Sequence, residues 1–281
     1  MRVLLTGPNG FIGKPLAIAL EKAGHTVVLH AHSQGDISQC KLDYENIDHV
    51  IHLASKAFVP ESWTHTHEYY MINVMGTVNV LEFCRRTKAS LTFLSTYVYG
   101  SPTTLPVTED HALNPASPYN HSKLMAEDAC AFYHRIFDVR VNILRPFNIY
   151  GEGQPEKFVI PKVLKQALDS SSSFIEVENV GPKRDYLHVS DVISAILKTL
   201  TPAKPFAIYN VGFGKSYSVA DVIELATGIT GNKKEIRVTG VIRPNEVMDT
   251  VADISKIKKD LGWAPQIDLK TGLKQIVASM T

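Results

Sequence analysis

The chain has 281 residues, 44% of them hydrophobic and 20% charged, which is enough apolar material for one large α/β domain or for a large and a small one. Twenty-nine Lys and Arg stand against 28 Asp and Glu, so no global field draws the protein to nucleic acid or to an anionic membrane. Cys40, Cys84 and Cys130 are widely spaced and odd in number, and the His residues lack a ligand spacing, so neither a disulfide framework nor a metal site is expected.

The N-terminus runs directly from Met1 into an apolar stretch without a leader pattern, and the longest apolar stretches are strand-sized, so a cytoplasmic protein without membrane spans is expected. Arg2-Val-Leu-Leu-Thr6 reads as a buried strand. Gly7-Pro-Asn-Gly10-Phe-Ile-Gly13 follows, then a helix from Lys14 that ends on Gly24, then a second strand, His25 to His30. Glycines at 7, 10 and 13 allow the backbone to approach a pyrophosphate, and the following helix start offers unpaired N–H groups and a positive dipole end. In strand–turn–helix–strand context this predicts a dinucleotide site. Further strand-like runs at 49–54, 91–95, 139–145 and 206–211 alternate with helical segments, which predicts a parallel sheet with helices on both faces. The Gly7 turn, Ala54-Ser55, Ser95-Thr96 and Pro146-Asn148 fall at carboxyl ends of these strands, where such sheets bind ligands.

Tyr119 and Lys123 lie four apart in a segment that reads as a helix from Pro118, so the phenol and ammonium share one face. A neighbouring cation favours the ionised phenol and would bring Tyr119 into the range for proton exchange with a hydroxyl. On spacing alone the pair also fits an ordinary surface helix.

The Gly-x-x-Gly-x-x-Gly spacing resembles the short-chain dehydrogenase/reductase superfamily, and later blocks resemble its extended branch, the nucleotide-sugar epimerase/dehydratase family. These blocks are Asp36-Ile37, Asp48 to Ser55 (similar to the family's fourth strand), Asn73-Val-Met-Gly-Thr77, Leu91 to Gly100, Ser117 to Lys123, Arg145 to Gly151, Arg184 to Asp191, Arg243-Pro-Asn-Glu246 and Leu261 to Pro265. The resemblance implies a Rossmann-type doubly wound α/β sheet, residues 1–150 plus about 187–212, interleaved with a smaller α/β substrate domain, about 151–186 plus 213–281. It implies a catalytic Ser95, with Thr96 as the adjacent alternative, beside Tyr119 and Lys123. Asn9, Phe11, Ile12, Asp36, Ile37, Leu53, Ala54, Ser55 and Pro146 join the three glycines, Tyr119 and Lys123 around the dinucleotide. Asn148, Arg184 and Arg243 fall to the nucleotide diphosphate, whose oxygens suit the paired donors of arginine. The helices at 74–84 and 119–137 are apolar on more than one face, and in the family such helices form a four-helix bundle in a homodimer.

The chain departs from the family pattern in three places. Where NAD-binding members carry an Asp after the second strand stands Ala31, flanked by His32 and Ser33, which can receive a 2′-phosphate; NADP is favoured, with NAD as the alternative. The stretch 30–36 is too short for the usual helix and resembles the layout of some deoxysugar reductases. The Asp-Glu pair of the 4,6-dehydratases is missing after the catalytic hydroxyl, which argues against dehydration. The expected activity is reduction of a nucleotide-diphosphate 4-keto-6-deoxyhexose; the alternative is a 4-epimerase with tightly bound NAD.

Overall fold

A computed structural model describes residues 1–241 and 246–280. The strands are β1 (Arg2–Thr6), β2 (Thr26–His30), β3 (His49–His52), β4 (Ser90–Leu94), β5 (Val141–Pro146), β6 (Asn148–Tyr150), β7 (Phe174–Val177), β8 (Lys183–His188), β9 (Phe206–Val211), β10 (Ser216–Ser218) and β11 (Glu235–Val238). The helices are α1 (Gly13–Lys22), α2 (Val59–Ser62), α3 (Thr66–Tyr70), α4 (Gly76–Thr87), α5 (Pro118–Phe137), α6 (Val159–Leu168), α7 (Val189–Lys198), α8 (Val219–Thr230), α9 (Ser255–Leu261) and α10 (Leu269–Met280), with a π-helical turn at Met71–Met75 leading into α4.

Six strands form one parallel sheet in the order β2-β1-β3-β4-β5-β9. Strands β3 and β5 are buried along their whole length, as strands covered on both faces must be, and the polar His49, His52, Asn142 and Arg145 are buried with them. Leu16 and Leu20 of α1, Val192 and Ile196 of α7, and Ile257 and Trp263 pack on one face. Val80 and Phe83 of α4 with Ala126 and Cys130 of α5 pack on the other. This is the expected Rossmann-type arrangement.

Two differences from the expected elements have local causes. The run at 49–54 leaves the sheet after His52, because Thr6 Oγ1 at the end of β1 accepts the amides of Leu53 and Ala54 at 3.2 and 3.1 Å. The segment resembling a fourth strand is the third in this chain. It takes the place beside β1, while residues 31–48 contribute a three-residue 3₁₀ turn (His32–Gln34) and no strand, so β2 is the sheet edge.

The second layer is built from small sheets, β10-β8-β6 and β11-β7. They surround a separate core of Tyr150, Ile160, Leu164, Ile175, Val222 and Leu273. Residues 255–263, expected in the substrate domain, instead pack Ile257 and Trp263 into the core of the six-stranded sheet. The motif residues explain this. The two carboxylate oxygens of Asp191 accept the amides of Gln266 and Ile267 at 2.9 and 3.0 Å, and the Trp263 indole donates to Ser194 Oγ at 2.8 Å. Asp185, wholly buried, likewise ties β8 to the amides of Phe213, Gly214 and Ala252 at 2.7, 2.9 and 3.0 Å. These two aspartates hold layers together. No helix among the described residues is long and apolar enough to cross a membrane.

Candidate active site

At the carboxyl ends of β1, β3, β4 and β5 lies a cavity of about 880 Å³ between the sheet and the second layer. Its floor begins at the glycine turn. Gly7 N donates to His30 O and Gly10 N to Gly7 O, both at 3.2 Å, and α1 starts at Gly13. Gly7 has φ +70°, and a Cβ there would stand 2.9 Å from Ala54 N. A Cβ on Gly13 would stand 2.2 Å from Gly7 O. The turn therefore admits no side chain at either position, and it presents bare backbone and the first amides of a ten-residue helix to the cavity, as a pyrophosphate requires.

A buried polar chain sets the next wall. Thr6 Oγ1 already accepts two amides, so its proton goes to His52 Nδ1 at 2.7 Å, and His52 carries its own proton on Nε2 toward Thr77 Oγ1 at 3.2 Å. Burial holds the His52 imidazole neutral, its pKa pushed down to about 3. Thr77 donates to Asn73 O at 2.6 Å. The Asn73 side chain exchanges hydrogen bonds with the backbone of Lys56 at 2.9 and 3.1 Å and donates to Ser122 Oγ at 2.9 Å. The Asn73 and Thr77 of the family motif thus lock the loop after β3 to α5.

Helix α5 starts on Ser117, whose Oγ accepts from Asn120 N at 3.2 Å, with Pro118 in the first turn. The Asn120 amide donates to Tyr97 O at 2.8 Å, and Ser122 Oγ to Tyr119 O at 2.8 Å. The start of α5 is therefore fixed against the segment that follows β4. Across that junction the Thr96 hydroxyl hydrogen-bonds the Tyr119 phenol. The Tyr119 ring packs edge-on against Tyr69, with centroids 6.3 Å apart. Lys123 is 2% exposed, and its ammonium lies 4.2 Å from the centre of the Phe93 ring.

The placement of Ser95 and the ionisation of Tyr119 differ from expectation. Ser95, preferred as the catalytic hydroxyl, lines the cavity and donates to Glu127 Oε1; Thr96 is the hydroxyl that meets the phenol. Lys123 was expected to draw Tyr119 toward ionisation. Burial instead raises Tyr119 above its ordinary value, against the hydrogen bond from Thr96, and pushes Lys123 itself down to about 7. Desolvation disfavours both charges.

Of the other expected site residues, Gly7, Gly10, Phe11, Ile12, Gly13, Leu53, Ser55, Pro146, Asn148 and Arg184 line the cavity. Asn9, His32, Ser33, Asp36, Ile37 and Ala54 are not among its lining residues. Asp36 accepts from the amide and hydroxyl of Ser38 at 2.9 and 2.7 Å, and Ile37 is buried against Gly76. Arg184 donates to the carbonyls of Lys183 and Val247 at 2.8 and 2.5 Å and stands 3.9 Å from Glu246. Arg243 lies outside the described residues.

Phe58, Val59, Pro60 and Trp63 form an apolar wall, and none of the four was among the expected site residues. Phe58 meets Phe158 of the second layer edge-to-face at 5.6 Å, and Lys157 Nζ sits 4.1 Å from its ring centre. Their sequence signal, a Phe-Val-Pro run followed by a Trp in the loop after β3, has no period and no motif.

The sequence pattern of the GDP-mannose 4,6 dehydratase family matches residues 34–276. The chain is 33% identical over 300 residues to GDP-6-deoxy-D-mannose reductase of Pseudomonas aeruginosa, covering 99% of this chain and 96% of the relative. It is 32% identical over 300 residues to a putative UDP-glucose 4-epimerase of Methanocaldococcus jannaschii, covering 98% and 97%. The solved structure of MoeE5 in complex with UDP-glucuronic acid and NAD superimposes with a TM-score of 0.90 at 28% identity, covering 100% of this chain and 99% of the other. With the glycine turn, the Tyr119/Lys123 pair and the two-layer fold on one cavity, this chain belongs to the nucleotide-sugar epimerase/dehydratase family of extended short-chain dehydrogenases/reductases.

Proposed function

We propose that the protein reduces the 4-keto group of a nucleotide-diphosphate 6-deoxyhexose with NADPH. The observation that carries this reading is the junction of Thr96, Tyr119 and Lys123 beside the bare glycine turn in one cavity. Bound NADPH would supply a hydride to the carbonyl carbon. Thr96 orients the carbonyl oxygen, and Tyr119, which burial keeps protonated, gives that oxygen its phenol proton, so that the ketone becomes an alcohol. Lys123 stands one helical turn away to support the phenolate left behind.

The surroundings support the substrate class. With Thr96 as the catalytic hydroxyl, Tyr97-Val98 stands where a dehydratase places Asp-Glu, and Tyr97 spends its hydroxyl proton on Gly100 O at 2.6 Å. Ala57, Phe58, Val59 and Trp63 form an apolar wall suited to a C6 methyl group. Asn148 and Arg184 are the groups for the diphosphate, with Arg243 beside them in sequence-based expectation. We assign residues 1–150 and about 187–212 to cofactor binding and the second layer to the nucleotide sugar, with 255–263 transferred to the first unit on its packing. Ala31, His32 and Ser33 at the end of β2 leave the ribose edge without a carboxylate, which supports NADP over NAD. Met125, Phe132 and Ile136 of α5 remain exposed, which supports a homodimer through α4 and α5.

The test is nicotinamide oxidation with NADPH or NADH against 4-keto-6-deoxyhexoses carried on GDP, dTDP, CDP and UDP. One reduced nicotinamide consumed per alcohol formed supports the proposal. Interconversion of C4 epimers over many turnovers at constant nicotinamide absorbance would establish the epimerase instead.

A further inference from the structure

Below the cavity lies an ion pair that the proposed reaction does not use. Glu127 is on α5, four residues past Lys123 and eight past Tyr119, so the three side chains leave successive turns of one helix face. Its carboxylate accepts from Ser95 Oγ and from Arg145 of β5, with Nε at 3.1 and 3.0 Å and Nη2 at 2.6 Å. Both side chains are 3% exposed. Arg145 Nη1 donates to the Tyr99 hydroxyl at 2.8 Å, Tyr99 donates to Asn210 Oδ1 at 2.6 Å, and Asn210 donates to Val107 O at 2.9 Å. This chain of bonds runs from α5 across the sheet to β9.

Taking two such charges out of water costs several kcal/mol before they pair, and apolar packing of similar volume stabilises as well or better. A duty besides cohesion is therefore indicated, and the neighbour that supplies one is Lys123. The groups around its ammonium are Phe93 on β4, His52 on β3, and Cys130 and Glu127 on its own helix, with Tyr119 one turn back along that helix. His52 is neutral for the reasons above, and burial keeps the thiol of Cys130 and the phenol of Tyr119 protonated. Burial pulls Lys123 down, and Glu127 is the largest influence in the other direction.

We propose that Glu127 is a positioning residue: clamped by Arg145 and Ser95, its carboxylate is the counter-charge that keeps the Lys123 ammonium in place one turn from Tyr119. Ser95 serves the clamp and does not meet the substrate. This rests on the reading of Tyr119 and Lys123 as the proton-transfer pair.

Glu127→Gln removes the charge at constant volume. The expected result is an alkaline limb of the kcat–pH profile displaced toward acid by about one pH unit or more, with activity largely recovered at lower pH and KM changed less than about threefold. Glu127→Asp, which restores the charge, is expected to move the limb back even if its melting temperature stays as low as that of Glu127→Gln. Profiles of unchanged shape and reduced amplitude in both variants would make the pair a structural tie and overturn the proposal. Ser95→Ala leaves the ion pair intact and tests the clamp if the Glu127 variants do not fold. A loss of kcat under about tenfold is expected, whereas a loss beyond about a hundredfold would return Ser95 to the reacting atoms and overturn the assignment. A wild-type protein that turns over no 4-keto sugar refutes the functional reading separately. The Glu127 role is then read from the pH midpoint of NADPH binding by fluorescence, which must fall in Glu127→Gln and recover in Glu127→Asp.

Discussion

Thr96 and Tyr119 share a hydrogen bond at the junction of β4 and α5, and Asn120 fixes that junction independently through Tyr97 O at 2.8 Å. Removing the Thr96 hydroxyl therefore leaves the backbone geometry in place. Thr96→Ala is expected to lower kcat about a hundredfold, and Tyr119→Phe between about a hundredfold and ten-thousandfold, with cofactor affinity little changed in both. Thr96→Ser should keep most of the activity. Steady-state kinetics with fluorescence titration of NADPH checks this, and a Thr96→Ala enzyme as fast as wild type would remove Thr96 from the mechanism.

The glycine turn offers a paired test. Gly7→Ala places a Cβ at φ +70° and 2.9 Å from Ala54 N, so the turn must distort, at a strain of about 1–3 kcal/mol. Lower thermal stability and cofactor binding weakened at least about tenfold are expected. At Gly10 a Cβ meets its nearest neighbour, Gly7 O, at 3.4 Å without positive φ, so Gly10→Ala should retain the stability of the wild type.

Two buried neutral histidines set an acid limit on stability. His49 bonds Ser90 Oγ and Thr92 Oγ1 at 2.6 and 2.8 Å, and burial holds both it and His52 down at about 3, against 6.5 for the free group. Between those values the unfolded chain binds protons that the folded one refuses. Stability is thus fully present above the unfolded pKa and is lost as pH falls below it, with a slope of up to about 1.4 kcal/mol per pH unit for each histidine. Urea unfolding at a series of pH values should show this decline, and His49→Gln should reduce its slope by about one proton's worth. An unchanged slope in the variant would assign the decline to other groups.

On α5, Ile136 and Phe132 are 51% and 46% exposed, and Met125 is 40% exposed on the same helix. If this surface is the dimer contact, Ile136→Glu converts the protein to a monomer in light scattering without loss of the Thr96–Tyr119 junction. A wild type that is monomeric at all concentrations refutes the contact.

Much of the frame was legible because its causes are local. The six strand runs are short and rich in apolar residues, and each lies in the sheet within a residue or two of its expected place. The glycine turn was visible because positive φ at Gly7 and the close approach at Gly13 tolerate no other residue. Tyr119 and Lys123 announced a shared helix face through spacing alone. Glu127 extends the same four-residue step and was missed, because a carboxylate on a helix carries no signal until Arg145 arrives from another strand.

What the sequence determined by itself was therefore the class of fold, the glycine turn and the shared helix face of Tyr119 and Lys123, each set by periodicity or by residues close in the chain. Only the tertiary structure showed that Ser95 bonds Glu127 and that Thr96 bonds Tyr119. Neighbouring residues in an extended chain face opposite ways, and which side meets Tyr119 depends on how α5 docks. It also decided the ionisation of the pair. Spacing predicts attraction between a phenol and an ammonium, whereas burial, a property of everything packed around them, raises the one and lowers the other.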